Sequence, residues 1–221
     1  MKRRQSMKIA VDITMSLALV AVMATALVQE VPHEWLGAAL FVLMVVHMVQ
    51  NRRWLGSILR GRYNLLRSLQ VIALVGLVAC FVGQVASSVV LSKYAFGFLP
   101  ALPGAGWARR VHMVCSYWMF VLAFAHVGLH ARIPRKMAPV QLWALRIVAA
   151  IIACYGIYSF VKLGMLPYLI GQVQFAAADY SAPLALSFAR YASIGALVAI
   201  VFHFIREALL AFVRQGRGTQ E

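Results

Sequence analysis

The chain has 221 residues, 63% of them hydrophobic and 12% charged, with a mean hydropathy of +0.82. That excludes an ordinary soluble enzyme, in which about 45–50% apolar and about 25% charged residues are usual. Twenty-one Lys and Arg against six acids give a formal charge of +15, which in a soluble domain would suggest a nucleic-acid partner. In so apolar a chain, basic residues gathered at the cytoplasmic ends of spanning helices explain the charge instead, and no nucleic acid is expected.

In chain order, six apolar segments stand out, at about 9–29, 34–50, 68–91, 111–131, 142–163 and 191–213. Backbone in lipid must satisfy itself, and the ten-residue alternation of an outer-membrane barrel is missing, so all six are predicted to be helices. The fold class expected is an all-α integral membrane protein, one domain over 1–221 with six transmembrane helices. The first segment follows Lys2-Arg3-Arg4 and ends near Ala24-Thr25-Ala26, which imitates a signal peptide. An uncleaved first span is favoured, because its loss would leave His33 without a covering helix. Asp12, near the start of that span, is read as interfacial, with a functional carboxylate as the alternative. The second segment is short for a span. The longest irregular stretches are 92–110 and 164–190, and the latter, with Pro167, Asp179 and Pro183, is expected to lie along the membrane surface or dock a partner.

Orientation follows from the basic residues. Lys2, Arg3, Arg4, Lys8, Arg52, Arg53, Arg60, Arg62, Arg67, Arg132, Arg135, Lys136, Arg146, Arg206, Arg214 and Arg217 fall on one side; only Lys93, Arg109, Arg110, Lys162 and Arg190 fall on the other. The richer side is the cytoplasmic one, so both termini are expected in the cytoplasm and the chain in a bacterial inner membrane.

Four of six histidines form a pattern. His33 and His47 stand fourteen residues apart on the second segment, and His112 and His126 fourteen apart on the fourth. At about 100° and about 1.5 Å per residue, each pair shares one helix face and is separated by about 21 Å along the axis. With one complete span between them the two helices run parallel, so His33 levels with His112 on the outer side and His47 with His126 on the inner side. Facing imidazoles at one depth form an axial pair for haem iron, and two such pairs would stack two haems in a helical bundle. Gly37 and Ser116, each four residues after a histidine, leave room for a flat macrocycle, and Leu40, Met44, Met119 and Ala123 continue the same faces as apolar walls. Arg52, Arg53 and Arg132 are placed to serve inner propionates, and Arg109, Arg110 and Lys93 outer ones. His130, one turn after His126, either replaces it as inner ligand, bonds a propionate or sits in the interface. His203 and Glu207 read as a buried polar cluster, a quinol-proton acceptor being the alternative. Cys80, Cys115 and Cys154 stand singly, with no C-x-x-C pair and no C-x-x-C-H, so neither a disulfide framework nor thioether-bound haem is expected.

The runs His33-Glu34-Trp35-Leu36-Gly37, His47 with Asn51-Arg52-Arg53-Trp54, Arg110-Val111-His112 with Ser116-Tyr117-Trp118, and His126-Val127-Gly128-Leu129-His130 resemble a bacterial family of cytochrome-b-like membrane domains of formerly unknown function, also called flavinylation-associated cytochromes. Tyr155-Gly156-Ile157-Tyr158 and the stretch from Tyr168 to Tyr180 resemble it more weakly, and the likeness covers about 8–213. It implies transmembrane electron transfer through b-type haems, often to extracytoplasmic flavin-carrying proteins.

Gly104-Ala105-Gly106 begins like a dinucleotide fingerprint but has Arg109 where a third glycine is needed, and no strand–helix unit surrounds it. The expected protein is therefore an electron conduit, a subunit of an oxidoreductase, with two non-covalent bis-histidine haem b groups. It would take electrons from the quinone pool or a separate donor and pass them to a separate flavin or iron–sulfur protein. The rivals are a direct ferric or quinone reductase and a haem-free transporter using its histidines for protons or metal.

Overall fold

The computed structural model describes residues 2–25, 29–58, 60, 63–100, 102–131, 138–175 and 182–218, the side chains of 2–4 and 214–218 excepted. Ala26, Arg62, Arg132, Arg135, Lys136, Asp179 and Tyr180 lie outside the described residues. The chain folds as α1 (Lys2–Thr25), α2 (Glu30–Gln50), α3 (Arg52–Gly56), α4 (Leu65–Leu91), α5 (Ala105–His130), α6 (Pro139–Lys162), α7 (Met165–Leu169) and α8 (Leu184–Gly218). All but α3 and α7 are long and apolar enough to cross a membrane, so the architecture is that of an all-helical, multi-pass membrane protein with six crossings. An even number of crossings brings both chain ends to one end of the bundle, the terminus end; the other is the distal end.

The helices outrun the apolar segments. α2 starts at Glu30 with Pro32 in its first turn, where a missing N–H costs little. Its 21 residues cover about 31 Å at about 1.5 Å each, so it is not short. α5 starts at Ala105, released by Gly104 at φ 103°, and thus carries Arg109 and Arg110 within its first two turns. Polar end turns continue the hydrogen-bond ladder without adding to the apolar signal that marks a span.

α5 is the central helix, packed against α4 and α8; α8 also packs on α6, and α1 lies against α8 and α2. The core gathers Leu19, Val20 and Met23 of α1, Tyr117, Met119 and Phe120 of α5, Met165 and Tyr168 of α7, and Tyr191 and Ile194 of α8. Lipid tails are as apolar as leucine, so close backbone approach through small residues supplies much of the packing in a membrane bundle. Gly128 of α5 faces the Ala199 carbonyl of α8 with no room for a Cβ, and a Cβ on Gly156 of α6 would lie 2.6 Å from the Ser193 carbonyl oxygen.

The start of the 164–190 stretch turns inward. Gly164, at φ 55°, lets α7 fold back so that Met165 and Tyr168 are buried. The Tyr168 ring stacks on Tyr117 at 4.3 Å and 4°, and Trp118 Nε1 donates to the Leu169 carbonyl at 2.9 Å. This part of the stretch closes the distal end of the bundle rather than lying on the surface.

α2 is the exception to close packing. Leu40 is its only buried residue, and among the described residues no Cα of α2 comes within 8 Å of α4 or α5; side chains bridge the distance, Phe41 stacking on Phe81 of α4 at 5.5 Å and 11°. Polar ties hold its ends instead. At the distal end the Glu34 carboxylate accepts from Ser92 Oγ at 2.7 Å and from the backbone N–H groups of Lys93, Tyr94 and Ala95 at 2.9, 2.9 and 3.0 Å. Lys93 pairs with Glu30 at 2.9 Å, an interaction that raises the lysine above its ordinary pKa. At the terminus end Lys8 Nζ donates to Asn51 Oδ1 at 3.0 Å.

The α5–α8 crossing predicts that Gly128→Val costs about 1–3 kcal/mol, because the inserted methyl groups force the two backbones apart. Thermal unfolding in detergent checks this, with Gly106→Ala as the neutral control, since a Cβ there meets nothing within 4 Å.

Candidate functional site: two stacked cavities with paired histidines

Because α2 stands off from α4 and α5, the space between them is open. It divides into two cavities, one of about 500 Å³ at the terminus end and one of about 320 Å³ at the distal end. Leu19 and Met119 line both, so the cavities are stacked end to end with these side chains between them.

The distal cavity holds His33 and His112, whose ring centroids are 6.1 Å apart at an interplanar angle of 64°. His33 Nδ1 is 3.1 Å from the Val22 carbonyl oxygen. A carbonyl only accepts, so Nδ1 carries the proton and Nε2 keeps its lone pair. His112 lies against α4, with the Gln84 side-chain nitrogen 3.1 Å from each ring nitrogen and Ser88 Oγ 3.4 Å from Nδ1. Ser116 Oγ donates to the His112 carbonyl at 2.6 Å and approaches Gln84 Oε1 at 3.2 Å, which fixes the amide. Arg109 lines this cavity too, its guanidinium 5.3 Å from the centre of the Phe175 ring.

The terminus-end cavity is lined by His47, His126 and His130 among apolar walls that include Leu40, Met44, Ala123 and Phe124. His47 Nδ1 lies 2.7 Å from Asp12 Oδ1, so its Nδ1–H is donated to a carboxylate and its Nε2 keeps the lone pair. Asn51 Nδ2 donates to the His47 carbonyl at 3.0 Å. His126 Nδ1 is buried with no hydrogen-bond partner among the described residues. A buried imidazole nitrogen left unsatisfied costs about 1–3 kcal/mol. His130 is more exposed; its Nδ1 donates to the His126 carbonyl at 3.0 Å and Trp54 stands edge-on to it at 5.9 Å.

The structure thus brings together the two histidine pairs expected from spacing, at opposite ends of one gap. Leu40, Met44, Met119 and Ala123 all wall the terminus-end cavity, and a Cβ on Gly37 would meet no atom within 4 Å. It does not bring every expected cation to a cavity. Arg52 and Arg53 sit exposed on α3 and do not line the terminus-end cavity, where Asn51, Trp54 and Leu55 do. Arg110 is exposed and absent from the distal lining, Lys93 is taken by Glu30, and Arg132 lies outside the described residues. Sequence reasoning passed over Gln84, Glu34 and the pairing of Asp12 with His47. A glutamine within the apolar run of α4 and a carboxylate within α1 were the available signals, since polar groups at membrane depth need partners.

Among the described residues no three His, Cys, Asp or Glu side chains converge as a metal cage. Each site offers facing pairs, which suffice only for an ion whose other donors come with it. No protein-family model matches the chain, and no curated protein or solved structure matches it either.

If the terminus-end cavity is open space, Ala123→Phe fills it and leaves the melting temperature of ligand-free protein unchanged or raised. Ala125→Phe, at a position only 1% exposed, is expected to cost about 1–3 kcal/mol. Differential scanning fluorimetry of the two variants reads the contrast.

Proposed function

We propose that the chain is a di-haem b-type membrane cytochrome of the kind its histidine motifs resemble. The observation that carries the reading is the pair of stacked cavities, each faced by histidines from the same two parallel helices. The residues present fit the group. The His33 and His112 ring centroids, 6.1 Å apart, are near enough for one metal ion to join the two rings once the Gln84 amide, 3.1 Å from each His112 nitrogen, gives up one of them. The Val22 and Asp12 contacts at Nδ1 leave the Nε2 lone pairs of His33 and His47 as the available donors, with Asn51 Nδ2 3.5 Å from that of His47. When bound, each haem supplies a one-electron Fe(III)/Fe(II) couple.

His33 and His112 are the ligands we assign to the distal haem, and His47 and His126 those of the terminus-end haem. Val22 and Asp12 hold the α2 imidazoles in the tautomer that ligation requires. Leu40, Met44, Ala123 and Phe124 would exclude water around the terminus-end group, while Ser116 keeps the distal wall low. Arg109 supplies the cation for a distal propionate. His130 lines the same cavity with Nδ1 held by the His126 carbonyl, which leaves it the alternative ligand there or a contact for a propionate.

With the terminus end in the bacterial cytoplasm, as the distribution of basic residues suggests, the chain spans the inner membrane as an electron conduit. Electrons enter from the quinone pool or a cytoplasmic donor and leave at the distal end to a separate protein, such as a flavin carrier.

Purified protein is expected to show b-type bands in a dithionite-reduced minus oxidised spectrum. His47→Ala should remove about half of the band intensity and leave the rest. A spectrum without b-type bands would overturn the cytochrome reading and favour a haem-free transporter; retention of both haems in His47→Ala would move the inner ligand to another residue.

A further inference from the structure

The two α2 histidines differ in what accepts their Nδ1–H. For His33 it is the Val22 backbone carbonyl at 3.1 Å; for His47 it is the Asp12 carboxylate at 2.7 Å. A carboxylate acceptor draws the imidazole proton toward itself more strongly than an amide carbonyl does, leaving Nε2 the stronger electron donor. A stronger donor stabilises Fe(III) over Fe(II) and lowers the reduction potential.

The charges near the two cavities act in the same sense. Asp12 places a negative charge on the terminus-end lining, whereas Arg109 places a positive one on the distal lining. Glu30 also lines the distal cavity, but Lys93 neutralises it at 2.9 Å. At the terminus end Lys8 opposes Asp12, its ammonium resting on Asn51 Oδ1. Asp12 is 51% exposed, so water screens its through-space field. The hydrogen bond to His47 acts through the ligand itself and is not screened in this way.

We infer that Asp12 is a positioning and tuning residue that makes the terminus-end haem the lower-potential of the two. This rests on the di-haem reading above. With two such groups bound, one-electron flow from the terminus end to the distal end would run downhill, the terminus-end group being oxidised as the distal one is reduced, with no bond broken and no proton moved.

The test is a spectroelectrochemical titration of full-length protein in detergent, fitted with two one-electron components. In Asp12→Asn the lower potential should rise, by about tenfold in its equilibrium constant or about 59 mV for one electron, with the higher one unmoved. Asp12→Glu, which keeps the carboxylate, should remain near wild type. Should Asp12→Asn fail to retain its inner haem, His33→Ala provides a second route, because its remaining haem must titrate at the lower wild-type potential. Two haems with an unshifted lower potential in Asp12→Asn, or a high-potential remainder in His33→Ala, would overturn the inference while leaving the cytochrome reading intact. Absence of haem from the wild-type protein would instead overturn that reading.

Discussion

The structure depends on one helix being kept away from its neighbours. α2 touches α1 along its length, Phe41 reaches across to stack on Phe81 of α4, and polar ties hold its two ends: Glu34 caps the turn after α4, and Lys8 reaches Asn51. In lipid a helix gains little by burying more leucine, so its place in a bundle is set by such polar ties and by close backbone contacts. Glycine contacts seal α5 to α8 and α8 to α6, and α2 has none of them. The gap that results is where all four patterned histidines point. A spacing of fourteen residues acquires meaning only because two parallel helices face each other across that gap.

The two ends of the gap are not equivalent. The distal cavity is smaller, its histidines are in ring contact, and the Tyr117–Tyr168 stack and α7 close the bundle beside it. The terminus-end cavity is larger, more apolar and holds three histidines, one of them bonded to a carboxylate. Such asymmetry would let two similar bound groups differ in potential, since hydrogen bonds to the ligating side chains and local charge separate them.

Much of this was legible in the sequence. Six apolar runs marked the six crossings, and the paired spacing placed His33 with His112 and His47 with His126. Leu40, Met44, Met119 and Ala123 fell on the walls expected of them because a regular helix fixes the direction of every fourth residue. What was not legible depended on contacts between distant segments. The helix ends at Glu30 and Ala105 were hidden because polar first turns look like loop. The inward turn of α7 hinged on Gly164 in a left-handed conformation, which composition does not reveal. Asp12 read as interfacial until the packing of α1 on α2 set it 2.7 Å from His47, thirty-five residues away. Arg52 and Arg53 were drawn to the inner site by their place after His47, but the α3 turn carries them outward.

The most direct test of the account is the haem count of the purified chain, from extracted pigment measured against protein by amino-acid analysis. The account predicts two acid–acetone-extractable b-type haems per chain, one for each histidine pair. A count of one, or of none in fully folded protein expressed with haem in supply, would contradict it.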